Sequence, residues 1–169
     1  MSRIDPPAGG ASVFDHQPEL FRAFNAVYGM LWTLGEVDAA TKEVARIRNA
    51  RQVGCKICMN IRFASARDAG LTEDMVQEID DDFAASDLPP RHKLAARLTD
   101  VLLRDPAGMP DDVRAALLDE LTPPQVVELM LTAALASGFS KAAVTWGPPP
   151  ELPTTIVPTP TPNPDDRYR

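Results

Sequence analysis

Two cysteines separated by two residues are the part of this sequence best suited to chemistry. Cys55 and Cys58 are the only cysteines among 169 residues, with Lys56 and Ile57 between them. At the start of a helix, unpaired backbone amides and the helix dipole favour a thiolate. A thiolate attacks a peroxide or a disulfide, and the second cysteine then closes an intramolecular disulfide. The spacing therefore predicts a redox-active pair.

The charge around the pair favours the same chemistry. The chain has 17 Lys and Arg against 24 Asp and Glu, a net charge of −7, yet residues 46–67 contain no acidic residue. A local excess of positive charge lowers the pKa of a nearby thiol. The basic residues concerned are Arg46, Arg48, Arg51, Lys56, Arg62 and Arg67.

Two other interpretations of the cysteines remain open. They could be small apolar core residues, since free cysteine is often buried. They could also bind zinc, but zinc needs further Cys or His ligands, and the chain offers only His16 and His92, which are expected to be solvated or capping residues. We therefore expect no metal, and with no glycine-rich phosphate loop in the chain we expect no cofactor.

Helical periodicity predicts an all-α fold that carries the pair. No segment alternates apolar and polar residues between turn signals, as a strand would. Asp38 is expected to cap a helix that Gly54 ends, and Thr122 and Gln125 form a capping box for the last helix. In the first helix Leu20, Phe24, Val27 and Leu31 are expected to share one buried face. Helices are predicted at 18–34, 38–53, 55–70, a short one opened by 71–72, one between 89–90 and 105–106, 111–120, and a last one from 122 to 146–147.

The two ends of the chain differ from this helical part. Residues 1–17 are expected to form a flexible arm, residues 18–147 the helical domain, and residues 148–169 an extended tail. The tail holds eight of the seventeen prolines, which lack the amide hydrogen that a helix needs. The last helix is apolar on almost all sides from 126 to 144, so it should be buried in the core or in a subunit interface. We therefore expect a homo-oligomer.

The motif and its surroundings resemble the carboxymuconolactone decarboxylase superfamily, and within it the alkylhydroperoxidase D-like branch. Glu43 lies twelve positions before Cys55, as in that branch, and the turn at 69–73 and the segment from Lys93 to 146–147 are also similar. The resemblance implies a bundle of about six to seven helices that oligomerises. It implies Cys58 as the sulfur that attacks peroxide, Cys55 as the resolving thiol and Glu43 as a tuning or positioning group.

Arg62 stands where the family has a histidine, four positions after Cys58. Arginine cannot exchange protons near neutral pH. We expect Arg62 to stabilise the Cys58 thiolate from the same helix face and to pair with the buried carboxylate of Glu43. The alternatives are an ordinary surface arginine and a surface pair between Glu43 and Arg46. The replacement predicts a slower peroxidase or a disulfide exchanger.

These observations predict a thiol-dependent oxidoreductase that reduces a hydroperoxide or a disulfide and is recycled by an external dithiol. The alternative is a non-enzymatic helical oligomeric module with a redox-sensing or vestigial cysteine pair. The acidic charge disfavours binding to nucleic acid or anionic membrane. No apolar stretch is expected to reach the roughly 20 residues of a membrane span, and residues 1–10 lack a signal core, so a cytoplasmic location is expected. Lactone decarboxylation is disfavoured, because the decarboxylase branch generally lacks the paired cysteines.

Overall fold

The computed structural model describes residues 3–146 and 153–163, which form a helical bundle with one very small sheet. The all-α class predicted from the sequence is confirmed. Two 3₁₀ turns, Val13–His16 and Phe83–Ala85, supplement the helices and strands. The elements are α1 (Pro18–Thr33), α2 (Ala39–Val53), α3 (Lys56–Asn60), β1 (Ile61–Phe63), α4 (Ala64–Asp68), α5 (Glu73–Gln77), α6 (Pro90–Arg104), α7 (Asp111–Glu120), α8 (Pro123–Trp146) and β2 (Thr155–Val157).

The central helix is α2, which packs mainly against α6 and α8. It begins at Asp38, whose side chain accepts a hydrogen bond from the Thr41 amide, and it ends at Gly54 in the left-handed region with φ 72°. Both boundaries agree with the prediction. All residues from 40 to 50 are buried, including several that carry charge. Buried charges require partners, so this helix depends on ion pairs with its neighbours.

The chain after the cysteine motif differs from the prediction. The single helix expected over 55–70 is two short helices, α3 and α4, separated by the strand β1. β1 pairs in parallel with β2 of the C-terminal tail, with Ile61 opposite Thr155 and Phe63 opposite Val157. Local periodicity could not reveal this strand, because its hydrogen-bonding partner lies more than ninety residues away. Gly70, with φ 93°, closes the segment as predicted.

The first helix buries a different face from the one predicted. Leu20 is 68% exposed and Val27 is 50% exposed, whereas Asn25, Gly29 and Trp32 are buried. Apolar residues occupy more than one face of α1, so spacing alone could not decide which face packs against the body. The exposed side is left as apolar surface.

The last helix, α8, has the predicted capping box: the Thr122 amide donates to Gln125 and the Gln125 amide to the Thr122 hydroxyl. One side packs on α2, with Leu129 and Ala133 fully buried, while the other remains exposed. Contrary to the expectation from the sequence, α8 is long and apolar enough to cross a membrane by length and composition alone. In this structure α8 packs against α2 and α6.

Part of the N-terminal arm contacts the helical body. The Arg3 amide donates to the carbonyl of Trp146 at the end of α8. The ring of Phe14 stacks on Phe21 and Phe139, with centroids 5.0 Å from each. These contacts link the arm to α1 and α8, the two helices beside the cysteine motif.

Candidate functional site

The two cysteines lie at the start of α3 and form a disulfide. Cys55 is the residue before the helix, and Cys58 is its third residue, as the motif predicts. Cys55 is fully buried and its amide donates to the carbonyl of Ala50, while Cys58 is 9% exposed. The ability to form an intramolecular disulfide is confirmed, and Cys58 is the more accessible of the two sulfurs.

A buried hydroxyl contacts the more accessible sulfur. The Oγ of Ser140 on α8 donates to the Sγ of Cys58 at 3.6 Å, and it accepts from the side-chain amide of Asn49 at 3.2 Å. Both residues are buried. A hydroxyl donor at this position would stabilise a thiolate on reduced Cys58 more than it stabilises the thiol.

Glu43 forms a buried, two-pronged ion pair with Arg46 on the next turn of α2. The Nε and Nη2 of Arg46 donate to the two carboxylate oxygens of Glu43 at 2.7 and 2.6 Å. The amide of Phe63 donates to the same carboxylate at 3.1 Å. Burial by itself lowers the pKa of Arg46. The adjacent Glu43 carboxylate raises that pKa by more than burial lowers it, so the pKa of Arg46 lies above its usual value. The guanidinium is therefore charged at every pH of interest.

The same guanidinium holds the chain around the cysteine motif. Arg46 donates to the carbonyl of Cys58 at 2.8 Å and to the carbonyl of Ile61, and it lies over the ring of Phe63. One buried pair thus ties α2 to the end of α3 and to β1. The role that this geometry gives Glu43 is to fix Arg46 and, through it, the backbone at Cys58.

The predicted pair between Glu43 and Arg62 is wrong. The side chain of Arg62 contacts Glu73 at 3.2 Å and donates to the carbonyls of Met59 and Ile61. The reason is the strand: alternate residues of β1 point to opposite sides, and Ile61 faces the cavity described below while Arg62 does not. The expectation that Arg62 shares a helix face with Cys58 is therefore wrong, because Arg62 lies in β1.

The positive charge around the motif is compensated by acidic residues from elsewhere in the fold. Arg48 pairs with Asp100 at 2.7 Å and with Asp81 at 2.9 Å, and Arg67 shares Glu73 with Arg62. These acidic partners lie outside residues 46–67. The absence of acidic residues within that stretch therefore overestimates the positive charge near the thiols.

An apolar cavity of about 430 Å³ opens onto Cys58. Its size falls in the range of small-molecule sites. Cys55 does not line it. The aromatic residues Phe21, Phe24 and Tyr28 of α1 and Phe139 of α8 form much of the wall. The remaining lining residues are Asn25, Arg46, Ile57, Cys58, Ile61, Phe63, Ala136, Ser140, Val157, Pro158 and Pro160.

The histidines lie apart from this cavity. His16 is on the surface, with Nε2 2.9 Å from the carbonyl of Asp5. His92 is buried rather than solvated, which differs from the expectation, and burial lowers its pKa. Within residues 3–146 and 153–163, no three His, Cys, Asp or Glu side chains lie close enough together to hold a metal ion.

Sequence reasoning missed several residues of the site. Arg46 was considered as one of the basic residues near the thiols and as a surface partner of Glu43, but not as the buried ion pair that the three-residue spacing on one helix face allows. Tyr28 could have been found from its spacing with Phe21 and Phe24 on α1. For Ser140 the sequence offered no distinguishing signal, because α8 also carries the hydroxyl residues Thr132 and Ser137.

The comparisons with known proteins agree with this geometry. The model of the carboxymuconolactone decarboxylase family matches residues 18–99, which include the cysteine motif. Uncharacterized proteins from two strains of Mycobacterium tuberculosis are 31% identical over 139 residues, which is 82% of this chain. The chain spans about half the length, 49%, of these relatives.

A solved structure shares the fold. A protein of unknown function from Agrobacterium tumefaciens, provisionally described as the antioxidant defence protein AhpD, superposes with a TM-score of 0.71. The match covers 86% of this chain and 95% of that one, at 17% identity. The chain is thus similar to the carboxymuconolactone decarboxylase family over residues 18–99, and its helical bundle has the AhpD-like fold.

Proposed function

We propose that the protein is a thiol-dependent oxidoreductase that reduces apolar hydroperoxides at Cys58. The observation that carries the proposal is that Cys58, and not its disulfide partner Cys55, lines an apolar cavity. A substrate with a hydrocarbon body can occupy such a cavity with its peroxide group at the sulfur. The buried Cys55 is then placed to resolve the oxidised sulfur.

The reaction follows from the two sulfurs. The Cys58 thiolate attacks the terminal oxygen of ROOH, so an S–O bond forms, the O–O bond breaks, and alkoxide leaves and takes up a proton. The Cys55 thiol then attacks the sulfenic sulfur, which releases water and forms the disulfide. An external dithiol supplies two electrons and two protons to restore both thiols. Among the described residues that line the cavity, only Tyr28 and Ser140 carry hydroxyl protons, so we expect slow turnover.

The proposal is tested by single-turnover kinetics with variants of each cysteine. Cys55→Ser should react once with a hydroperoxide and accumulate sulfenic acid at Cys58, which dimedone traps. Cys58→Ser should consume no peroxide. Equal loss of the first step in both variants, or no consumption by the parent with any dithiol, would contradict the proposal.

The rival function is a non-enzymatic helical module with a vestigial or redox-sensing pair. Its support is the absence of a histidine from the cavity lining and the compensation of nearby arginines by acidic partners. A protein of this kind would form the disulfide once but show no turnover when a dithiol is present in excess.

We also propose a cytoplasmic homo-oligomer, with residues 18–147 as its helical domain. Thiols stay reduced in that compartment, as recycling requires. Val27 of α1, Leu34 just after α1, and Val127 and Leu131 of α8 are exposed apolar residues, and the two helices contact each other. Burial of this surface favours association. A sedimentation measurement that finds a monomer at micromolar concentration would contradict the oligomer.

A further inference from the structure

The C-terminal segment of residues 153–163, here called the tail segment, forms one side of the cavity at Cys58. Val157, Pro158 and Pro160 line the cavity, and Pro160 is buried. The other lining residues belong to α1, α2, α3, β1 and α8. Among the described residues, the wall thus combines parts of the packed bundle with one segment from the far end of the chain.

Contacts of three kinds between described residues hold the tail segment on the bundle. β2 pairs with β1 over three residues. The amide of Ser65 donates to the Thr159 hydroxyl at 2.9 Å. The backbone of Thr161 passes so close to Gly29 on α1 that a Cβ at this glycine would collide with the Thr161 carbonyl oxygen. The lack of a side chain at Gly29 is therefore what lets the segment lie there.

The composition of the tail segment suits an apolar wall. Pro158 and Pro160 have no amide hydrogen, so they can face the cavity without leaving a backbone donor unsatisfied. Proline also restricts the chain to an extended conformation, which lowers the entropy lost on docking.

The attachment is nevertheless weak compared with the bundle. A two-stranded sheet is only marginally stable by itself, and this one has three residue pairs, with Thr155 and Ile156 exposed. Segments with few buried contacts open at a lower free-energy cost than the core. The tail segment is thus the part of the wall that can be displaced while the helices stay folded.

We propose that the tail segment determines specificity: while docked, it limits access to Cys58 to small or slender molecules, and bulky apolar molecules enter only when it is displaced. This inference rests on the proposed function only in that the molecules selected are substrates; its test does not require the proposed function. The size of what reaches the sulfur can be measured by alkylation, which needs no catalytic turnover.

Gly29→Ala is the variant that displaces the tail segment. The added methyl group collides with the Thr161 carbonyl, while alanine is a better helix former than glycine, so α1 itself should remain folded. Gly138→Ala is the matched control, because it adds the same group to a helix, α8, where nothing lies within 4 Å of the new Cβ. Thr159→Val is a second, milder variant that removes the acceptor of the Ser65 amide.

Each variant is made with Cys55→Ser, so that Cys58 is the only thiol, and is alkylated with iodoacetamide or with bulky N-(1-pyrenyl)maleimide. In Gly29→Ala the ratio of the bulky to the small rate constant should rise about tenfold or more, in line with the size discrimination of a shaped apolar site. Thr159→Val should show a smaller rise, and Gly138→Ala none. Amide exchange at residues 155–157 should accelerate in Gly29→Ala.

An unchanged ratio in both Gly29→Ala and Thr159→Val would overturn the inference, and so would faster amide exchange with no change in the ratio. Peroxide consumption is measured separately, with Cys55 present. Turnover with an unchanged alkylation ratio would leave the proposed function standing without the inference. A changed alkylation ratio without any peroxide turnover would support the inference about the tail segment and contradict the proposed function.

Discussion

Replacing Arg46 with methionine tests whether the buried pair with Glu43 holds the cysteine motif in place. The substitution leaves the fully buried carboxylate of Glu43 with one described donor, the amide of Phe63. It also removes the hydrogen bonds that the guanidinium donates to the carbonyls of Cys58 and Ile61. Removal of one partner from a buried ion pair costs about 3–5 kcal/mol. For a chain of this length, that lowers the melting temperature by roughly 6–20 °C.

The measurement is urea unfolding of the oxidised protein, followed by circular dichroism at constant pH. The double variant Glu43→Leu/Arg46→Met should recover most of the loss, since replacing both partners with apolar groups removes the unpaired charge. Arg51→Met is the matched control on the same helix. This arginine is only partly buried and donates to the carbonyls of Val76 and Gln77, so we expect a loss of about 1 kcal/mol or less.

Two results would refute this reasoning. A change below about 1 kcal/mol in Arg46→Met would show that the pair contributes no more than a surface ion pair. A double variant no more stable than Arg46→Met alone would show that the unpaired carboxylate is not the source of the loss. In either case Glu43 would not position the chain at Cys58.

Three further predictions concern single residues. Ser140→Ala should slow the alkylation of reduced Cys58 at neutral pH by up to about tenfold, because a donor to the thiolate is lost; alkylation rates with iodoacetamide measure it, and Ser137→Ala on the same helix is the control. Arg62→His should lower stability, because the hydrogen bond to the Met59 carbonyl is lost, and it should not raise peroxidase activity, because the side chain does not face the cavity. Faster turnover in this variant would refute the placement of Arg62 outside the cavity. Burial lowers the pKa of His92, so the unfolded chain binds more protons below about pH 6.5, and stability should fall as the pH decreases from 7.5 to 5.5. In His92→Gln, urea midpoints at the two pH values should differ less than in the parent, and an equal difference would exclude His92 as the cause.

Interactions between near neighbours in the chain could be predicted from the sequence. Asp38 and Gly54 bound α2, Thr122 caps α8, and Cys55 precedes α3 as the motif requires. Helix caps and glycine turns involve interactions over about four residues, so the local sequence is sufficient to predict them. The same holds for α7, whose ends lie where the pattern predicts.

The partners of charged residues could not be predicted in this way. Arg62 was expected to pair with Glu43, but the chain leaves the helix at Ile61 and the Arg62 side chain contacts Glu73. Arg48 finds Asp100 fifty-two residues away. Several acceptors are compatible with any one arginine in the sequence, and only the packing of separate helices selects among them.

The cavity likewise depends on tertiary structure. The sequence by itself determined which sulfurs are paired and that helices carry them. It did not determine that Ser140 contacts Cys58 or that the tail segment closes one side of the cavity, because these contacts span 82 and about one hundred residues. Hydrogen bonds and apolar burial between such distant segments follow no local periodicity, so they are decided only when α1, α8 and β2 pack around the motif.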